Sequence, residues 1–205
     1  MNGRIIAVGD TDGPYHPLDN IRWLGEALPG CRITFTDDYD AFLRLPEFDL
    51  CICYTDAFAG AGRKPLGPER SAALLTFLRR GGRMLILHNG VSLQDTPELS
   101  GLLGARFCHH PPRDTLLIQI MRGHPVTESA ADFCIWDEPY QFDVYGPIEV
   151  FASYTYQGKA QPAGWERPYG AWSLIYLMPG HDRAAFQCEA YRRLVVSCAA
   201  YLMGK

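Results

Sequence analysis

The chain has 205 residues, 47% of them hydrophobic and 20% charged, with a formal net charge of −4; that length and balance suit one globular domain able to bury its own core. Its Lys and Arg residues are scattered, with no basic stripe to neutralise a phosphate backbone, so nucleic acid is excluded as an expected partner. The longest apolar runs, such as 84–87 and 174–178, fall far short of the roughly 20 residues a membrane span requires, and the first eight residues lack the apolar region and cleavage site of a secretory leader.

These features predict a single domain over residues 1–205, in the cytoplasm. Seven cysteines, at 31, 51, 53, 108, 134, 188 and 198, include no C-x-x-C pair and read as small buried hydrophobes rather than a disulfide framework or zinc site.

Along the chain, short apolar runs alternate with helical patterns, the mark of βαβ units and a parallel sheet. Arg4 to Val8 reads as the first strand. Pro17 is placed to open a helix, with Leu18, Ile21, Leu24 and Leu28 on one face and Pro29-Gly30 as its stop. Cys31 to Phe35 is the second strand, Tyr39 to Leu43 a short helix, and Phe48 to Tyr54 a third strand apolar on both faces. After a Gly- and Ala-rich loop from Thr55 to Gly67, Pro68 opens a helix whose inner face is Ser71, Leu74, Leu75 and Leu78, ended by Gly81-Gly82. Arg83 to Leu87 is the fourth strand. Further on, Thr115 to Met121, Glu149 to Tyr156 and Ser173 to Met178 read as strands, and Tyr191, Leu194, Val195, Cys198 and Leu202 mark a closing amphipathic helix. The expected fold is a three-layer, flavodoxin-like α/β domain with a mostly parallel sheet, helices on both faces and extra strands inserted in the second half.

Open parallel sheets bind ligands beyond the carboxyl ends of their strands. That rule selects Asp10, Asp12 and His16 after the first strand, Asp56 after the third, His88 and Asn89 after the fourth, and Gly180-His181-Asp182 after the strand from Ser173. His88 is the sharpest candidate. The step from Leu85-Ile86-Leu87 into His88-Asn89-Gly90 runs a strand into a tight turn, much like a nucleophile elbow that exposes one side chain. No G-x-S-x-G or G-x-C-x-G surrounds it, which argues against a serine or cysteine nucleophile.

Other motifs carry less. Gly9-Asp10-Thr11-Asp12-Gly13 lacks the remaining ligands of a calcium loop and reads as a turn; His109-His110 before Pro111-Pro112 reads as loop surface; His124-Pro125 reads as a turn into a short helix. Asp137-Glu138-Pro139-Tyr140, after Trp136, sets two acids beside aromatic rings and can supply a carboxylate in a partly desolvated wall, or can be a solvated acidic turn. Trp165-Glu166-Arg167-Pro168-Tyr169-Gly170 combines flat apolar surfaces with a guanidinium, suited to stacking on a sugar face or fixing an oxyanion, or else is a packed hairpin corner.

Taken in order, Leu85-Ile86-Leu87-His88-Asn89-Gly90, Gly123-His124-Pro125-Val126, Asp137-Glu138-Pro139-Tyr140, Trp165-x-Arg167-x-Tyr169-Gly170 and Pro179-Gly180-His181-Asp182 resemble the ThuA-like family associated with trehalose utilisation. The resemblance spans most of the chain and implies the class I glutamine amidotransferase-like fold. It also implies a departure in chemistry, because true amidotransferases of that fold carry a nucleophilic Cys at the elbow where this chain has His88. Where the family continues with basic residues after Tyr169, this chain has Gly170-Ala171-Trp172-Ser173, which puts an anionic ligand in doubt.

The resulting expectation is an enzyme acting on a sugar or sugar-derived carbonyl compound without glutaminase activity. His88 and His181 transfer protons and Glu138 orients or exchanges protons with them, while His16, Asp56, Asn89, Tyr140, Trp165 and Arg167 line the pocket. His16, His88, His181 and Glu138 could instead converge as metal ligands, although their spacing matches no known metal signature, and no cofactor is specified. The partner is a small sugar-like molecule, with a homo-oligomer left open. The rival is a noncatalytic ligand-binding module that keeps the fold and pocket.

Overall fold

A computed structural model describes residues 2–12, 15–56, 65–169 and 172–204. Its eleven described strands are β1 (Gly3–Gly9), β2 (Cys31–Thr36), β3 (Leu50–Tyr54), β4 (Arg83–Leu87), β5 (Ala105–His109), β6 (Asp114–Ile120), β7 (Phe133–Asp137), β8 (Gln141–Val144), β9 (Glu149–Tyr156), β10 (Lys159–Tyr169) and β11 (Trp172–Leu177). The α-helices are α1 (Leu24–Ala27), α2 (Pro68–Arg79) and α3 (Glu189–Gly204). Nine strands form one sheet in the order β2-β1-β3-β4-β11-β10-β9-β6-β7, and β5 pairs with β8 beside it.

The first five strands of that order run parallel, and β10, β9, β6 and β7 extend the sheet antiparallel. The parallel half is the doubly wound, three-layer α/β core, and the antiparallel half holds the expected inserted strands. Its central strands are buried on both faces: no residue of β3 is exposed, nor any from Met84 to Leu87, which is why they read as continuous apolar runs rather than alternating ones. α3 buries Tyr191, Leu194, Val195, Cys198, Ala199 and Leu202 at helical spacing.

Several elements differ from the sequence reading for local physical reasons. The helix expected from Pro17 to Leu28 is a 3-10 turn at Leu18–Ile21 followed by the single turn α1. Gly25 weakens its middle, and the Asn20 amide bonds the Tyr54 hydroxyl at 3.1 Å, tying the first turn to the end of β3. The segment Tyr39–Glu47 is also 3-10, and Phe48 N–H closes on the Leu45 carbonyl, so β3 begins only at Leu50. Four strands, β5, β7, β8 and β10, go beyond those the sequence pattern predicts. β10 carries Pro162 and Gly164, and its pairing with β9 shifts register on either side of Gly164; Pro and Gly argue locally against a strand, and the irregularity is what accommodates them. In the loop from Thr55 to Gly67 residues 57–64, and with them Gly13, Gly170 and Ala171, lie outside the described residues.

Candidate active site at the sheet edge

The register of the parallel strands assembles the site. Leu87 is the partner of Leu177, so β4 and β11 end side by side and deliver His88 and the Met178–Asp182 turn to one edge. On the other side of β4, β3 ends at Tyr54 and passes into Thr55-Asp56, and β1, its neighbour, leads through Asp10 to His16. From the antiparallel half, β7 ends at Asp137 and carries Glu138 across the same edge.

His88 holds an elbow backbone, with φ of 38°, in the left-handed region that non-glycine residues rarely adopt. The turn after it needs Gly90, where an added Cβ would lie 2.6 Å from Ile86 Cγ2 and 2.8 Å from the Cys53 carbonyl. One expectation is corrected here: the His88 side chain is not exposed but fully buried beneath the inserted segment. Its Nδ1 lies 2.6 Å from the Met178 carbonyl, which can only accept, so Nδ1 carries the hydrogen and Nε2 turns inward. Nε2 is 2.9 Å from the Tyr140 hydroxyl and 3.4 Å from Glu138 Oε2.

Glu138 Oε2 is also 3.2 Å from His181 Nδ1, which is itself 3.2 Å from His16 Nε2. The other nitrogen of His16, Nδ1, lies 3.1 Å from Asp56 Oδ2. Four side chains therefore converge through one atom each, with those atoms within 4.8 Å of one another: His16, His88, Glu138 and His181.

Charge in this space is strongly coupled. Burial alone would push His88 down, but Glu138 and Asp137 beside it and the Met178 carbonyl hold it above its ordinary value. Burial would raise Glu138, yet hydrogen bonds and charge from His181 and His88 keep its carboxyl well below the usual carboxylate range. For His16 burial wins, assisted by the two other histidines and opposed by Asp56, and its pKa is lowered.

The neighbours of the cluster include residues the sequence reading did not place in the site. Asp137 is fully buried and works as a strut: Oδ2 accepts from the Gly180 N–H at 2.7 Å and the His181 N–H at 3.4 Å, while Oδ1 accepts from the Glu138 N–H at 2.8 Å. Asp10 holds Asp56, accepting its N–H at 2.7 Å. His110 Nδ1 stands 3.6 Å from Glu138 Oε1. Beside the cluster opens a cleft of about 470 Å³ whose lining includes Asp56, Asn89, Phe107, His110 and Tyr140. Asn89 is 2% exposed, and neither polar atom of its side-chain amide meets a hydrogen-bond partner among the described residues.

Two expected pocket residues stand elsewhere. Trp165 is fully buried in the sheet, its Nε1 donating to the Leu103 carbonyl at 2.9 Å and its ring packed on Phe142 and Tyr176. Arg167 lies opposite Leu174, three positions back from the strand ends, and its Nη1 donates to the Pro147 carbonyl at 2.7 Å. Trp136 points outward, 52% exposed, so of the two aromatics flanking the acids only Tyr140 covers the site. Asp182 pairs with Arg113, and Asp12 is exposed outside the cluster. The sequence at Asp137-Glu138 forms a buried strand end rather than a solvated turn.

A doubly wound parallel sheet with an elbow at the end of β4 defines a three-layer, flavodoxin-like α/β domain. The chain belongs to the ThuA family, described as trehalose utilisation, whose model matches residues 15–202. Among solved structures it is similar to a putative ThuA-like protein of Parabacteroides merdae, at 15% identity and a TM-score of 0.82, covering 100% of this chain and 91% of that one. A putative ThuA-like protein of Bacteroides uniformis matches at 16% identity and 0.73, covering 97% and 90%. A glutamine amidotransferase of Thermotoga maritima matches at 12% identity and 0.65, covering 100% of both chains. No curated protein matches the chain. No helix among the described residues is long and apolar enough to cross a membrane.

Proposed function

We propose that this chain is an enzyme of sugar utilisation that acts on a sugar or sugar-derived carbonyl compound by proton transfer at the edge of the parallel sheet, without glutaminase activity. The observation that carries this reading is the convergence of His88 and His181 on one carboxylate oxygen of Glu138, at 3.4 and 3.2 Å. A carboxylate within reach of two imidazoles, in a space that excludes most water, can pass a proton between them and a bound hydroxyl or carbonyl. The Tyr140 hydroxyl, 2.9 Å from His88 Nε2, links this relay to the cleft that Tyr140 lines, and family membership favours a sugar as the ligand. The adjoining cleft suits a polyol, because its lining includes Asn89, whose amide is unpaired among the described residues, the Asp56 carboxylate and the apolar ring faces of Phe107 and Tyr140.

The test is a thermal-shift screen of the purified protein against sugars and oxidised sugars, followed by NMR of each hit for turnover. A ligand-dependent rise in Tm, with turnover falling at least roughly tenfold, or about 1.4 kcal/mol, in Glu138→Gln, is expected. Absence of any sugar response overturns the proposal, and binding without turnover turns the site into a binding module.

A further inference from the structure

We infer that His16, His88, His181 and Glu138 form a centre for one divalent transition-metal ion, zinc first among the candidates. The inference rests on the same cluster as the proposed function but requires no particular substrate.

The first support is the direction of the lone pairs. His88 Nδ1 faces a carbonyl and His16 Nδ1 faces a carboxylate, both pure acceptors, so each nitrogen carries its ring's hydrogen. In the neutral form of each ring the Nε2 lone pair then points inward, His88 toward Glu138 Oε2 and His16 toward His181 Nδ1. His88 Nε2 also faces the Tyr140 hydroxyl at 2.9 Å, and one cation placed among the four ligand atoms would meet lone pairs from all of them. Outer ring nitrogens held by a carboxylate and a backbone carbonyl are also the supports that metal-ligating histidines use to fix their tautomer and aim.

Spacing is the second support. Bonds of about 2.0–2.2 Å from zinc to imidazole nitrogen and carboxylate oxygen place the ligand atoms of a tetrahedral shell roughly 3.3–3.6 Å apart. The measured separations are 3.2 Å for His16 Nε2 to His181 Nδ1, 3.2 Å for His181 Nδ1 to Glu138 Oε2 and 3.4 Å for His88 Nε2 to Glu138 Oε2. All four atoms fall within 4.8 Å of one another. Three imidazoles and one carboxylate suit zinc, iron, cobalt, nickel or manganese and disfavour calcium and magnesium, which prefer all-oxygen shells.

Rigidity is the third. Asp137 pins the backbone of Glu138 and His181, Asp10 pins Asp56, and Asp56 pins His16. The group of His124, Glu149 and Glu166 forms a contrast, since Glu149 is exposed and Glu166 is already bonded by His124, Ser173 and Tyr201.

The experiment uses the untagged full chain, stripped with a chelator and titrated with zinc sulfate, cobalt chloride and manganese chloride by calorimetry, with metal content read by mass spectrometry. One equivalent per chain, a rise in Tm and, for cobalt, visible absorption bands of a nitrogen-ligated site are expected. His16→Gln and Glu138→Gln should weaken binding at least roughly 100-fold, and Asp56→Asn about 10–100-fold. Binding that stays sub-stoichiometric and millimolar, or that survives both ligand variants unchanged, overturns the inference. Two outcomes separate it from the sugar reading: a full sugar response in stripped protein that takes up no metal sinks the metal centre alone, whereas stoichiometric metal with no sugar response sinks the sugar reading alone.

Discussion

The Tyr140 hydroxyl stands 2.9 Å from His88 Nε2, and both side chains are buried. Since the opposite nitrogen of His88 is committed to the Met178 carbonyl, the phenol is the donor in the neutral pair. Tyr140→Phe keeps the ring and deletes that donor. Losing a buried hydrogen bond costs about 1–3 kcal/mol, which lowers Tm by roughly 2–12 °C in a domain of this size. Sugar turnover should fall at least about tenfold. Calorimetry and an NMR assay of the same preparation check both; an unchanged rate would make Tyr140 a packing ring only.

Asp137 supports the site without touching the cleft, because its carboxylate collects three backbone N–H groups from Gly180, His181 and Glu138. Asp137→Asn replaces one acceptor oxygen with an amide nitrogen that must face a donor. The expected cost is about 2–4 kcal/mol, as for a charged hydrogen bond lost and a buried donor left unpaired. A drop in Tm of roughly 4–16 °C, with His181 and Glu138 displaced in a crystal structure of the variant, would bear this out. An unaltered melting curve would contradict it.

The sequence made the parallel core legible because buried central strands advertise themselves as apolar runs, and each such run ends at the residue the edge rule selects. That rule selects His88, His181, His16 and Asp56, and they stand together. Glu138 was visible from its acidic-aromatic motif. Illegible were the partners that act through backbone geometry: Asp137 reads only as one of two acids beside aromatic rings, and nothing in sequence says that its oxygens will meet the N–H groups of a turn more than 40 residues away. Trp165 and Arg167 misled for a related reason. Aromatic and guanidinium groups look alike in a pocket and in a packed strand, and the irregular β10, with Pro162 and Gly164, hid the strand that buries them.

The thiols supply a separate test of the missing nucleophile. Cys51, Cys53 and Cys198 are buried, and burial pushes the Cys51 thiol up to about 12, so at pH 8 these three should resist iodoacetamide in the native protein. Label should reach no more than the exposed Cys108 and Cys134 and the partly buried Cys31 and Cys188. Intact mass before and after unfolding counts the difference. Glutamine should release no ammonia with or without label; release that alkylation abolishes would reinstate a cysteine nucleophile.

Arg167 gives the sharpest control, because the sequence placed it in the pocket and the sheet places it below. It sits opposite Leu174, three residues before β11 ends at Leu177, which is about 10 Å along a strand. Its guanidinium bonds the Pro147 carbonyl and packs against Gly104 and Gly146, where an added Cβ would lie 2.9 Å and 2.6 Å from Arg167 atoms. Arg167→Met retains much of the stem and removes the charged donor, so the loss should appear in stability, about 1.5–3 kcal/mol or roughly 3–12 °C in Tm. Affinity for any sugar or metal found to bind should stay within about twofold, since no group at the strand ends moves. Thermal melts and ligand titrations on one sample separate these effects: a tenfold loss of sugar affinity at unchanged Tm would return Arg167 to the pocket.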